Sequence, residues 1–123
     1  MILVKATSWD QIERFFAERV SANEYFLPML EFVSLIKSSI YAVGLYPATS
    51  MHTLLISQSE TFELYRQVLR IELSNSKFHF SYFEKRATKP LLELESSHQQ
   101  GFQTLEYFLK HQRWFLESTG ELK

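Results

Sequence analysis

Residues 69–82 constrain the fold most, because apolar and polar side chains alternate there in two runs. The first run comprises Leu69, Arg70, Ile71, Glu72 and Leu73, and the second comprises Phe78, His79, Phe80, Ser81 and Tyr82. The residues between them, Ser74-Asn75-Ser76-Lys77, are typical of a turn. Alternation with a period of two places the apolar side chains of a strand on one face. We therefore predict a β-hairpin with one buried face.

Two amphipathic segments, one near each end of the chain, can cover such a face. Ser8 and Gln11 have the spacing of a capping box, which predicts a helix from about Trp9. Ser96 or Ser97 can cap a final helix that extends to about Leu116. The prediction is an α+β fold in which a mainly antiparallel, twisted sheet packs against N-terminal and C-terminal helices.

The segments between these elements are less regular. Ile2–Ala6 suits a short opening strand. Pro28 suits the first turn of a second helix, which Leu30 and Leu35 would make apolar nearly all round, so a strand is the alternative for this segment. We predict a further hairpin from two β-rich runs, 40–46 and 51–57, joined by residues 47–50.

Two later segments complete the predicted sheet. Residues 59–67 suit either a helix or a strand, and we favour the strand. After the charged segment Glu84–Lys89, Pro90 precedes three leucines, Leu91, Leu92 and Leu94. A leading proline is acceptable on an edge strand, so we expect the sheet to end there.

Length and composition limit the classes of protein. The 123 residues suit one domain, 1–123, and the absence of cysteine favours the reducing cytoplasm. The formal net charge of -1 argues against general binding to nucleic acid. The apolar run at the N-terminus stops at Val4, and the stretch 26–46 contains Pro28, Glu31 and Lys37, so we expect neither a signal peptide nor a membrane span.

Glu93, Glu95 and His98 form the densest group of acid and base side chains. If Leu92 and Leu94 point inward, both carboxylates share the other face of the strand and could act as a general base and its orienting partner. The alternative is that an edge strand exposes its charges to prevent aggregation. We favour this second interpretation.

Other chemistries lack the residues that they need. His98 and His111 are thirteen positions apart and cannot share one helix face, and His52 and His79 are equally well explained as polar residues on a solvated sheet face, so we predict no metal site. The three glycines are isolated and no serine has the G-x-S-x-G context, so neither phosphate loops nor a serine nucleophile is expected. We predict no cofactor.

Aromatic residues are abundant, with 11 Phe, 6 Tyr and 2 Trp. Aromatic side chains form a stripe along the second strand of the predicted hairpin. Such a stripe is typical of a sheet core and, less often, of a surface on which RNA bases stack. The last helix carries aromatic residues on more than one face, which favours a partner surface as much as a buried groove. The candidate binding residues are Tyr107, Trp114, Phe115, His79 and Phe83.

The absence of a catalytic motif, together with this aromatic excess, predicts a small non-catalytic module that binds another protein or itself as a homodimer. In size and composition the chain resembles compact bacterial immunity or antitoxin-like proteins, which act by occluding a toxin. The alternatives are a small-ligand pocket protein or enzyme that uses the Glu/His cluster, and a secretion chaperone.

Overall fold

The structure is a computed structural model that describes residues 2–85 and 88–114. Its strands are β1 (Leu3–Lys5), β2 (Tyr46–Ser50), β3 (Thr53–Ser57), β4 (Thr61–Glu63), β5 (Val68–Leu73), β6 (Lys77–Phe83) and β7 (Leu92–Ser97). Its α-helices are α1 (Trp9–Ala22), α2 (Leu27–Lys37) and α3 (Gly101–His111). Short 3-10 helices span Glu24–Phe26, Ile40–Val43 and His98–Gln100.

Five strands form an antiparallel sheet in the order β2-β3-β5-β6-β7, and β1 pairs with β4 in a separate two-stranded sheet. The hairpin of β5 and β6 pairs Leu69 with Tyr82, Ile71 with Phe80 and Leu73 with Phe78. The predicted hairpin and the edge position of β7 are confirmed. The predicted α+β class is confirmed as well.

The main core lies between one face of this sheet and the three helices. Phe78 and Phe80 of β6 are buried, and the ring of Phe32 on α2 lies 4.9 Å from the ring of Phe78. On α3, Phe108 packs 5.1 Å from the ring of Tyr82. We call this the inner face of the sheet.

The outer face is covered over part of its area. A second cluster of buried residues joins the β1–β4 pair to the sheet and consists of Ala48, Leu55, Phe62, Val68 and Phe83. Toward β7 the outer-face positions are polar and less buried, and they include Arg70, Glu72, His79, Ser81, Glu93 and Glu95. The outer face is therefore apolar under β1 and β4 and polar beside the edge strand.

The starts of α1 and α2 follow the predicted chemistry. Ser8 and Gln11 form the capping box of α1, and Pro28 lies in the first turn of α2. The Lys37 ammonium of α2 lies 2.8 Å from Asp10 and 2.9 Å from Glu13, both on α1. These two carboxylates raise the pKa of Lys37 to about 12. The pair of helices is thus joined at its solvent side by ion pairs.

The structure corrects the predicted hairpin of residues 40–57. Residues 40–43 form a 3-10 helix, because the Ser39 hydroxyl accepts a hydrogen bond from the Tyr41 N–H and caps that turn. Residues 47–50, predicted as the connection, lie in β2. Pro47 is tolerated there because β2 is an edge strand. The hairpin exists, but its turn is at residues 51–52.

The burial of α2 and the boundaries of two other elements also differ from the prediction. Leu35 is 55% exposed, so α2 is not buried all round, because α1 and the sheet cover only part of its surface. Ser96 belongs to β7, and α3 begins at Gly101 after a 3-10 turn. Residues 61–63 form a strand, as favoured, but one of only three residues. The predicted end of the last helix near Leu116 lies outside the described residues.

We expect Gly101→Ala to destabilise the fold. A Cβ atom at this position would lie 2.7 Å from Cδ2 and 2.8 Å from Cε2 of the Phe78 ring, which is fully buried and has little room to move. Overpacking of this kind costs about 1–3 kcal/mol. Urea denaturation would measure the loss, and Gly44→Ala is the control, because Gly44 has a φ of -104° that other residues adopt. Equal stability of the two variants would contradict the close approach of α3 to β6.

Candidate functional site

The edge strand β7 carries two carboxylates on the outer face of the sheet. Leu92 and Leu94 are partly buried and pack against the main core, whereas Glu93 and Glu95 between them are exposed. The period of two along the strand explains this separation. The prediction that both carboxylates share one face is confirmed.

His79 of the neighbouring strand lies between these two carboxylates. Its Nε2 is 2.9 Å from Oε1 of Glu93, and its Nδ1 is 3.4 Å from Oε2 of Glu95. The register of the sheet causes this arrangement, since His79 pairs directly with Glu95 and Ser81 pairs with Glu93. Each ring nitrogen therefore faces a different carboxylate. The three side chains remain about one third to one half exposed.

His98 is not part of this cluster. The chain leaves the sheet after Ser97 and turns into a 3-10 helix, which directs the His98 ring to the opposite side. Its Nε2 is 3.2 Å from the carbonyl oxygen of Ser74, and its ring lies 5.2 Å from the ring of Phe78. The predicted group of Glu93, Glu95 and His98 is therefore replaced by Glu93, Glu95 and His79.

A lysine completes the charged row. The ammonium of Lys77 is 3.4 Å from Oε1 of Glu95. The Lys77 ammonium, and secondarily His79, hold the pKa of the Glu95 carboxyl below its usual range. Because the pKa of Glu95 is lower in the folded protein than in the unfolded chain, its ionised carboxylate stabilises the fold at pH values above the pKa of the unfolded chain. This stabilisation is lost as the pH falls through the pKa of the folded protein. Because these groups are exposed, this contribution is small.

A groove runs beside β7 on the side of α3. It has a volume of about 410 Å³, and its walls are formed by Leu94, Glu95, Gln100, Gln103, Thr104 and Tyr107. Tyr107 is 56% exposed, and its ring stacks on that of His111 at 5.7 Å with an interplanar angle of 9°. We call β7, this groove and Tyr107 the β7–α3 surface.

Two of the other predicted binding residues are already covered by the chain itself. Phe83 is 7% exposed and packs in the smaller core under β1 and β4. Trp114 is 8% exposed, and its ring contacts those of Tyr82 and Phe108 at 5.9 and 5.0 Å. Phe115 lies outside the described residues. Of the five candidates, His79 and Tyr107 are accessible in the structure.

A second cleft was not predicted from the sequence. It has a volume of about 290 Å³ and places His52 near Glu72, with Tyr25 and Phe26 in its walls. The ring of His52 lies 4.8 Å from that of Phe26. No local pattern could have indicated this cleft, because its residues come from three distant segments. The structure does not bring His52 to His79, since His52 lies in the turn before β3 and β5 lies between β3 and β6.

Arg70 lies on the outer face between the polar and apolar areas. Its guanidinium carbon is 4.6 Å from the centre of the Tyr65 ring, and its buried Nη1 has no hydrogen-bond partner among the described residues. Across β6, the position of Arg70 is in register with Ser81 and Glu93. Nothing in its sequence context distinguishes Arg70 from an ordinary solvated strand residue.

Residues 2–85 and 88–114 contain no group of three or more His, Asp or Glu side chains arranged to hold a metal ion. Within the same ranges, no helix combines the length and apolar character needed to cross a bilayer.

Comparison with known proteins adds no relative. No family model, no curated protein and no solved structure matches this chain.

We expect Lys77→Met to raise the pKa of Glu95 toward its ordinary value, because the ammonium is the main cause of the lowering. Carboxyl-carbon NMR during a pH titration would measure the change. Lys110→Met, on α3, is the control and should leave the titration of Glu95 unaltered. An unchanged Glu95 titration in the Lys77 variant would contradict the contact between Lys77 and Glu95.

Proposed function

We propose that this protein is a non-catalytic module that binds another protein through the β7–α3 surface. The observation that carries the proposal is the position of β7, whose outer edge is unpaired in the described part of the chain and which adjoins a groove with an exposed tyrosine. Unpaired strand edges and exposed aromatic residues are recurrent features of protein recognition.

The geometry supports catalysis less well. The cluster of His79, Glu93 and Glu95 unites a histidine with two carboxylates, as a general base would require. However, these side chains lie on the solvent-facing side of the sheet, where water weakens electrostatic stabilisation of a transition state. The cleft of His52 and Glu72 favours a small-ligand protein as the second candidate, because it combines aromatic walls with a carboxylate.

Among binding roles, we propose an inhibitor of the immunity or antitoxin type that acts in the cytoplasm and occludes a basic site on its partner. The support is the row of exposed carboxylates of Glu72, Glu93 and Glu95 close to the edge strand, although Glu93 and Glu95 also contact His79 and Lys77 within the sheet. A secretion chaperone would use the same surface to hold an extended segment. Homodimerisation is less well supported, because pairing of β7 with its own copy would bring glutamates of the two chains together.

Affinity capture from the native cells tests the proposal with two matched variants. Tyr107→Glu and Leu35→Glu alter side chains that are 56% and 55% exposed on different helices, so they should have similar effects on folding. We expect proteins captured by the wild type to be retained by Leu35→Glu and lost at least about tenfold with Tyr107→Glu, as for an aromatic hot spot.

Mass spectrometry would identify such a protein, and titration of the purified pair would measure its affinity. Circular dichroism should show that both variants retain the fold. Equal binding of the identified partner by both variants, or a wild type that is monomeric and has no partner, would contradict the proposal.

A further inference from the structure

The hydrogen-bond pattern of the sheet determines which backbone groups of β7 face outward. The Ser74 N–H donates to the Lys77 carbonyl at 2.8 Å, so Lys77 directs its backbone groups toward β5. The Leu91 N–H donates to the Tyr82 carbonyl at 2.8 Å, so Tyr82 directs its carbonyl toward β7. In an antiparallel strand, the backbone groups of successive residues face the two neighbouring strands in turn. Both bonds give the same assignment for β6: odd-numbered residues face β5 and even-numbered residues face β7.

The same alternation applies to β7. Leu92 and Leu94 are in register with Tyr82 and Phe80, and they direct their backbone groups toward β6. Glu93 and Glu95 therefore direct their N–H and C=O groups toward the outer edge. In residues 2–85 and 88–114, no strand pairs with this edge. The residues with exposed carboxylates are thus also the residues with unpaired backbone groups.

We propose that β7 adds an extended segment of the partner protein as a sixth strand, and that this segment carries Lys or Arg at every second position. This inference rests on the proposed function and specifies its partner. The backbone of the segment pairs with Glu93 and Glu95, and its basic side chains lie beside their carboxylates on the outer face. Strand addition of this kind derives affinity from main-chain bonds and specificity from alternate side chains.

The contact between β6 and β7 already places basic side chains beside these two carboxylates. Strand β6, which pairs with β7, places Lys77 next to Glu95 and His79 next to Glu93. Lys77 and His79 are two residues apart. A basic strand on the other side of β7 would repeat this arrangement and would share the two carboxylates with Lys77 and His79. Opposite charges on neighbouring strands stabilise the pairing, and like charges destabilise it.

The intervening side chains of the segment would point toward α3. They would enter the groove of about 410 Å³ whose walls include Leu94, Gln103 and Tyr107. These walls carry no basic group and include the exposed side chain of Tyr107. They fit an uncharged aliphatic or aromatic side chain.

A second copy of this chain is a poorer occupant. Antiparallel pairing of β7 with its own copy would place the glutamates of one chain beside those of the other. The edge is also only six residues long, which is small for a stable dimer.

At the other end of the sheet, Pro47 removes a backbone donor from β2 and its carbonyl already accepts a bond from the Thr7 N–H at 2.8 Å. β7 is therefore the better edge for addition.

Three synthetic peptides test the proposal with the full-length protein. The first alternates lysine with valine or threonine over nine residues, the second has glutamate in place of lysine, and the third has the composition of the first with its lysines in one block. We expect the first peptide to bind at least about tenfold more tightly than the other two, with a salt-dependent affinity. Fluorescence anisotropy measures binding, and NMR should show shifted amides at Glu93, Glu95 and Ser97.

Two variants separate the charge from the backbone. The double variant Glu93→Gln, Glu95→Gln should weaken binding of the first peptide by about three- to tenfold, as exposed ion pairs do. Its control, Glu31→Gln with Glu60→Gln, changes two exposed glutamates elsewhere and should bind normally. Glu95→Pro removes an outward N–H together with the carboxylate and should not unfold the protein, because that N–H forms no bond within the sheet. Binding lost beyond the effect of the double variant therefore measures the contribution of the backbone.

Several outcomes would overturn strand addition at β7. In the peptide experiment, they are equal affinity for all three peptides and amide shifts confined to another surface. Two further outcomes point to another occupant: tighter binding of a peptide that comprises residues 115–123, and a dimer, detected by light scattering, in which the β7 amides are protected from exchange. If the peptides fail while the captured partner still depends on Tyr107, strand addition is wrong and the proposed function stands. If neither the peptides nor any protein depends on the β7–α3 surface, both are wrong.

Discussion

Burial of the inner face of the five-stranded sheet is the constraint on which the rest of the structure depends. Phe78 and Phe80 on β6 are at its centre, and Phe32 of α2 packs on both rings. Helix α3 approaches so closely that Gly101 lies against the Phe78 ring. Since aromatic side chains bury large apolar areas, these contacts set the positions of two helices relative to the sheet.

The candidate surface follows from the same constraint. The period of two that sends Leu94 toward the core also sends Glu93 and Glu95 to the outer face. Because α3 covers the inner face beside β7, it leaves a groove at the edge of the sheet with Tyr107 on its wall. A strand edge, a row of carboxylates and an aromatic ring thus meet in one place without any of them being required by the core.

Part of this surface could be predicted and part could not. The shared face of Glu93 and Glu95 depends only on local alternation, and the edge position of their strand was indicated by Pro90. The replacement of His98 by His79 depends on register, because fourteen residues separate His79 from Glu93 along the chain. Most of the aromatic side chains, including those of Phe83 and Trp114, are buried in the core. Exposure of a ring depends on what packs over it, which composition does not specify.

The amino-acid sequence by itself determined the α+β class, the hairpin of β5 and β6, the capped start of α1 and the apolar stripes that meet in the core. These features depend on hydrogen bonds and side-chain periods that span two to four residues, so local patterns report them. Only the tertiary structure decided that residues 47–50 join the sheet and that His79 meets Glu93 and Glu95. Those outcomes depend on contacts between distant segments, whose free energies override weak local preferences.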